Sequence, residues 1–276
     1  MRIISWNVNG IRATTNKWEL QNLILSHDPD ILFMQEIKAW HDKISPELKY
    51  PEPYLAHYNP AEKPGYAGTG VWIHSRVYED YDIDFLDSFP EDPTANEGRV
   101  AHVKLMPKNS PTLQHSNTPT IHIFGIYFPN GGKSESAWQD KLVFYTKFAK
   151  YMDELRETGA SVIWGGDINC AHQAIDLARP EANDGKIGFH PLERAWLDGR
   201  VQDGWSDIWR MQNPTTTDVY SWWDPVTRSR ERNVGWRIDA LWGDASIIEN
   251  IRNIEYLQNQ MGSDHCPILI DFVTRP

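Results

Sequence analysis

Seven short apolar runs limit what this chain can fold into more than any other feature. They lie at 3–8, 31–35, 70–74, 120–128, 161–165, 236–242 and 267–272. Each is rich in β-branched and aromatic residues, the composition of buried strands. Helical stripes lie between some of them. Over 135–158, Trp138, Leu142, Tyr145, Phe148, Met152 and Leu155 recur at steps of three and four, which gives one buried face. Ser134 stands where an N-cap belongs. A second helix runs from Pro191 through Trp196 and Val201, with proline in its first turn. A third, 18–25, follows the first strand. This irregular alternation implies sheets covered by helices, an α/β or α+β layered fold. Periodicity alone leaves the strand directions open.

With 276 residues, the chain is expected to form one domain over 1–276, because no long Gly/Ser or Pro-rich linker divides it. The polar, proline-containing stretch 107–119 is expected to be an exposed loop between two strands. No apolar run reaches the length of a membrane span, and MRIISWNVNG enters a strand directly, unlike a signal peptide. The two cysteines, Cys170 and Cys266, fit no disulfide framework and no zinc spacing. They are read as packing residues in a reducing cytoplasm. A net charge of −11 argues against indiscriminate nucleic-acid binding, which wants a basic surface.

Polar residues gather where the runs end. The first run leads into Trp6-Asn7-Val8-Asn9-Gly10, the second into Met34-Gln35-Glu36, and the fourth into Tyr127-Phe128-Pro129-Asn130. The fifth leads through Gly165-Gly166 to Asp167-Ile168-Asn169. The sixth carries Asp239, and Asp264-His265 precedes the seventh. Taken singly, most have a bland reading: Asn7 or Asn9 bonding a turn, Glu36 in solvent, Asp167 and Asn169 in a turn after two glycines. Asp239 inside an apolar run is harder to dismiss, since a buried carboxylate wants a partner. Six such ends meeting at one rim would make a site.

The stretches SWNVNGIRA, LFMQEIK, YFPNGG, GGDINCAH, NVGWRIDAL and GSDHCPI are similar, in order and spacing, to those of the exonuclease III family of abasic-site endonucleases, within the superfamily shared with DNase I. The likeness runs from Ile3 to about Asp271. GDIN and SDH alone would mark only the superfamily; Trp222-Trp223 and the Arg232–Asp239 segment resemble the abasic-site branch. The resemblance implies a four-layered α/β sandwich, two face-to-face sheets flanked by helices, with the site at one edge. It implies hydrolysis of the phosphodiester 5′ to an abasic site in double-stranded DNA, with 3′-end trimming as a further activity.

For the residues, the resemblance implies a hard oxygen set for Mg²⁺, with Mn²⁺ as a substitute. Glu36 is the first ligand, Asn9 and Asp264 complete the shell, and Asp167, Asn169 and His265 are further candidates. Asp167 would orient or deprotonate the water, held by Asn7, and Asn169 would donate to the phosphate. His265, oriented by Asp239, would stabilise the oxyanion or act as base. Tyr127 would touch the phosphate or leaving oxygen, while His172 is read as structural. Asn130, Lys133 and Asn183 match phosphate contacts. Arg228, with Arg230, Arg232 and Arg237, Lys133, Arg179 and Lys186, would form a basic strip. Trp222, Trp236 and Ile238 would receive the flipped sugar, Val226 would wedge into the helix, and Trp223 is read as core. The expected partner is duplex DNA with abasic or 3′-blocked sites, bound by a monomer. Two other readings exist: a phosphoesterase for lipids, inositol phosphates or RNA tails, and a non-catalytic domain that has kept the fold. The NVGWR and DLARP segments argue against the first, and the full set of catalytic groups argues against the second.

Overall fold

The computed structural model describes residues 1–108 and 119–274. Most of the expected loop at 107–119 therefore lies outside the described residues. The strands are β1 (Arg2–Asn7), β2 (Ile31–Gln35), β3 (Tyr54–Asn59), β4 (Thr69–His74), β5 (Tyr81–Leu86), β6 (Val100–Pro107), β7 (Ile121–Tyr127), β8 (Ser161–Asp167), β9 (Ser206–Asp207), β10 (Trp222–Trp223), β11 (Gly235–Trp236), β12 (Asp239–Gly243), β13 (Ile251–Tyr256) and β14 (Ile268–Phe272). The three longest helices are α1 (Glu19–His27), α2 (Glu135–Glu157) and α3 (Pro191–Gln202). One six-stranded sheet has the order β13-β14-β1-β2-β4-β3, and the other β5-β6-β7-β8-β12-β9. The pair β10–β11 stands apart.

Side chains alternate across each strand, so each sheet has two faces to bury. Inner faces meet: Ile3, Phe33 and Val71 of the first sheet pack with Val103, Ile123 and Ile163 of the second. The fit is close at Gly125, where a Cβ would come within 2.3 Å of the Phe33 ring. On the outside of the second sheet, Phe144, Phe148 and Met152 of α2 and Leu197 of α3 cover Phe124, Val162 and Trp164. On the outside of the first, Leu20 and Leu23 of α1 cover Ile4, Trp6 and Leu32. The result is the expected four layers, helix, sheet, sheet, helix. Among the described residues, no helix is long and apolar enough to cross a membrane.

Helix α2 follows its predicted stripe, and Ser134 Oγ accepts from Ala137 N at 3.1 Å as its cap. Two stripes are shorter than expected: Trp18 and Leu25 beside or in α1, and Val201 in α3, face solvent. The run 236–242 is not one strand. Between β11 and β12 the backbone leaves the ladder, because Arg237 N donates to Asp176 O at 2.7 Å and Ile238 N to Ser221 Oγ at 3.0 Å.

Strand direction places the site. Strand β1 runs parallel to β2, and β7 to β8, so Asn7, Gln35, Tyr127 and Asp167 end up at one rim. Strand β12 runs antiparallel to β8 with Asp239 opposite Asp167. Strand β14 runs antiparallel to β1, which brings the residues preceding it to the same rim.

Candidate active site

Asn7 sits at the centre of the rim. Its Nδ2 donates to Asp167 Oδ2 at 2.8 Å and to Glu36 Oε1 at 2.9 Å. Its Oδ1 accepts from Asn9 N at 3.0 Å. The contact with Asp167 is the one expected from the sequence. Asp167 itself is buried, and its Oδ1 accepts from Asn169 N at 2.9 Å. The preceding Gly166 has φ +118°, and a Cβ there would lie 2.4 Å from Ile126 O and 2.9 Å from Gln35 Nε2. Glycine is thus what lets β8 deliver Asp167 between two sheets.

Three carboxylates and one imidazole share this space. Burial raises the pKa of Asp167, and nearby Asp239 and Glu36 add to this against the opposing pull of His265, for a value of about 7. His265 Nδ1 lies 2.8 Å from Asp239 Oδ2, and its Nε2 lies 3.9 Å from Asp167 Oδ2. Burial opposes its charge, but Asp239 and Asp167 outweigh that and raise its pKa to about 10. Near neutrality His265 is therefore an imidazolium, aimed by Asp239. Tyr127 ends β7; burial, with Glu36 and Asp167 close by, pushes its phenol well above the usual range. It stays a donor.

Glu36 has left-handed backbone, φ 51°, as do Asn9 at 44° and Asn169 at 54°. Such backbone is costly for a glutamate and often marks a working residue. Hydrogen bonds on both sides hold the turn, among them Gly10 N to Glu36 O at 2.8 Å and Ile37 N to Gly68 O at 3.1 Å. Lys38, which sequence reasoning passed over, donates from Nζ to Glu36 Oε2 at 2.6 Å and to Asn9 Oδ1 at 2.5 Å. Its only signal in the sequence is its place two residues after Glu36. Asn9 Nδ2 in turn donates to Asp264 Oδ1 at 2.8 Å, and Trp222 Nε1 donates to Asp264 Oδ2 at 3.1 Å. For Glu36, burial is outweighed by the bonds from Asn7 and Lys38, and its pKa is lowered. For Asp264, burial is outweighed by His265, Asn9 and Trp222, with the same result.

The donor set suits a divalent cation. Ligand atoms of Glu36, Asp167 and His265 lie within 4.8 Å of one another. A protonated His265 is a poor ligand, so the carboxylates of Glu36 and Asp167 are the hard donors of this cluster, with Asn9 and Asp264 linked to Glu36 through Lys38. The Lys38 ammonium between Glu36 and Asn9 marks a point where positive charge is stabilised. Asn169 is engaged elsewhere: its Oδ1 accepts from Asn130 Nδ2 at 2.9 Å and its Nδ2 donates to Phe128 O at 2.9 Å.

These groups open onto a cavity of ≈310 Å³ lined by Glu36, Tyr127, Asn130, Asp167, Asn169, Asp264 and His265 together with the apolar Trp222, Trp236 and Ile238. Ile187 and Gly188, absent from the sequence-based set, complete the wall. Gly188 meets Trp236 so closely that a Cβ would lie 3.3 Å from the ring. Asn7 and Asp239 stand behind the cavity as supports.

Other expected contacts lie outside it. Val226 is 89% exposed, and Lys133 and Arg228 are exposed too. Arg228 borders a neighbouring groove of ≈370 Å³ that also reaches Asn9 and Asp264. Asn183 Nδ2 is bonded to Arg179 O at 2.8 Å. The basic strip needs correction. Arg237 is buried in ion pairs with Asp176 at 2.8 Å and Asp207 at 2.7 Å. Arg230 donates to the carbonyls of Ser263, Gln258 and Gln260. Arg237 braces the frame instead of facing solvent, whereas Arg230 is half-buried and lines the same groove as Arg228. Trp223 is buried, as read, and so is His172, whose Nε2 lies 2.8 Å from Asp198. Cys170 and Cys266 are buried and unpaired in a disulfide.

A two-sheet sandwich with this rim defines a class of phosphoesterase, and the chain belongs to the endonuclease/exonuclease/phosphatase family, whose pattern matches residues 4–265. Among known relatives, an exodeoxyribonuclease of Bacillus subtilis is 32% identical over 268 residues, 97% of this chain and 98% of that protein. A DNA-(apurinic or apyrimidinic site) endonuclease of Dictyostelium discoideum is 31% identical over 97% of this chain and 69% of its own length. Among solved structures, the AP endonuclease of Leishmania major superposes with a TM-score of 0.85 at 25% identity, covering 100% of this chain and 88% of that one.

Proposed function

We propose that this chain is a DNA repair nuclease that hydrolyses the phosphodiester 5′ to an abasic site in duplex DNA. The products are a 3′-hydroxyl and a 5′-deoxyribose phosphate, and blocked 3′ ends are a further substrate. The observation that carries the reading is the small apolar recess of Trp222, Trp236 and Ile238 set directly against Asp167 and His265. A sugar that has lost its base needs no unpairing and fits such a recess, while an intact nucleotide is larger.

The chain's own groups supply the acid–base work. Asp167, with its pKa near neutrality, accepts a proton from the attacking water, and Asn7 and the Asn169 N–H fix its carboxylate. With Asp167 as the base, His265, charged beside Asp239, holds the phosphate oxyanion through Nε2–H. Asp239 sets that imidazolium's orientation. Tyr127 donates to the phosphate or leaving oxygen. Glu36, Asn9 and Asp264 would hold Mg²⁺, or Mn²⁺ in its place. When bound, the ion neutralises phosphate charge and stabilises the leaving oxygen. Asn130, Lys133, Asn183 and Arg228 position the backbone around the cavity, and Val226 enters the duplex beside the lesion.

The test is the chemistry of the nick. With an end-labelled duplex carrying one abasic analogue, the proposal predicts a nicked strand that a polymerase extends without prior phosphatase. A strand that needs phosphatase treatment first places the cut on the other side of the phosphate and contradicts it.

A further inference from the structure

Lys141 and Glu193 are both fully buried and form an ion pair between α2 and α3. Neither touches the cavity. The acceptors and donors they choose are telling. Lys141 Nζ donates to Asn169 O at 3.0 Å and to Asn130 O at 3.2 Å, besides Glu193 Oε1. Its three protons are thereby used. Glu193 Oε2 accepts from Gly188 N at 2.8 Å and from His190 N at 2.9 Å. One buried pair thus grips the backbone of three separate loops. Three of the residues gripped, Asn130, Asn169 and Gly188, line the cavity. The side chains of Asn130 and Asn169 also bond each other, at 2.9 Å.

We propose that Lys141 and Glu193 are positioning residues for the nuclease site, coupling the phosphate-side carboxamides to the wall of the sugar recess. This rests on the function proposed above. The competing explanation is plain structure, since Glu193 is also the third residue of α3 and closes its capping box with His190. The geometry favours positioning. A helix cap needs the His190 N–H alone, whereas this pair also fixes Gly188 and, through Lys141, the adjoining loops of Asn130 and Asn169 that line the cavity with it. Burying both charges is unfavourable unless every bond is made, and here the bonds hold backbone that faces the substrate.

The experiment replaces both charges together, as Lys141→Met with Glu193→Gln. The methionine fills the space without a charge, and the glutamine oxygen can still accept from Gly188 or His190. Removing both charges strands neither. Melting temperature, affinity for the abasic duplex in chelator, and single-turnover cleavage are then measured. Positioning predicts a folded protein with affinity within about threefold and cleavage at least about tenfold slower, because misplacement of a bound phosphate costs rate more than binding. Cleavage within about threefold of the parent in the folded double variant would overturn the inference. If the double variant does not fold, Lys141→Arg decides by the same threshold, since it keeps the charge but its planar fork cannot repeat both carbonyl bonds. A parent protein that fails to nick abasic duplex sinks the proposed function instead, so the two failures are distinguishable.

Discussion

Asp167 owes its chemistry to its surroundings more than to its type. In water it would be ionised and weakly basic; burial, with Asp239 and Glu36 beside it, pushes its pKa up to about 7 against the opposing pull of His265. A base must be deprotonated to work, so cleavage should rise as pH climbs through neutrality. His265 must stay protonated, so the rate should fall again as pH passes about 10. Asp167→Asn should remove the lower limb of this profile and slow cleavage by ~10²–10⁴-fold. Single-turnover rates across the pH range check both, and a flat profile through neutrality for the parent would remove Asp167 as the base. The sequence exposed these residues by their conjunction at the ends of apolar runs and by their resemblance to family motifs; taken singly, Glu36 and Asp167 have bland readings, and Asp239 inside an apolar run is the hard one to dismiss. Lys38 escaped notice because a lysine beside a glutamate looks like ordinary surface. Arg237 misled in the opposite sense: on paper it joins three other arginines, yet its partners Asp176 and Asp207 lie 61 and 30 residues away.

The elements carry the site by direction and by breaks. Parallel β1–β2 and β7–β8 deliver their C-terminal ends to the same rim, and β12 and β14 meet them from the opposite sense. Residue patterns gave the strands without giving these directions. Strands β5 and β13 were missed because they are edge strands whose outer faces carry Asp82, Asp84, Arg252 and Glu255, which dilutes the apolar signal. The break between β11 and β12 depends on Asp176, whose Oδ1 accepts from Arg210 at 2.5 Å and Arg237 at 2.8 Å. Asp176→Asn leaves two buried guanidinium groups short of charge and should cost about 3–5 kcal/mol of folding stability. Urea denaturation measures this; an unchanged midpoint would show that Asp207 alone satisfies Arg237.

At the scale of the whole molecule, the fold solves a packing problem and the site is built at its edge. Two mixed sheets bury their inner faces on each other and their outer faces under helices, and the rim is where strand ends are free to carry polar groups. The net charge of −11 means that DNA affinity must come from a few local cations and from lesion geometry. A layered fold was legible from apolar runs and helical stripes, and the family resemblance implied the two-sheet arrangement. The loop wall of Ile187 and Gly188 was not legible, because nothing in GKIGF marks it as facing a cavity. The most direct test of the account is strand cleavage of a duplex with one central abasic analogue, beside an intact duplex, by the parent and by Asp167→Asn, each with Mg²⁺ and with chelator. The account predicts cutting at the lesion alone, by the parent alone, and only with the metal. Equal cutting of both duplexes, or near-parent cutting by Asp167→Asn, would contradict it.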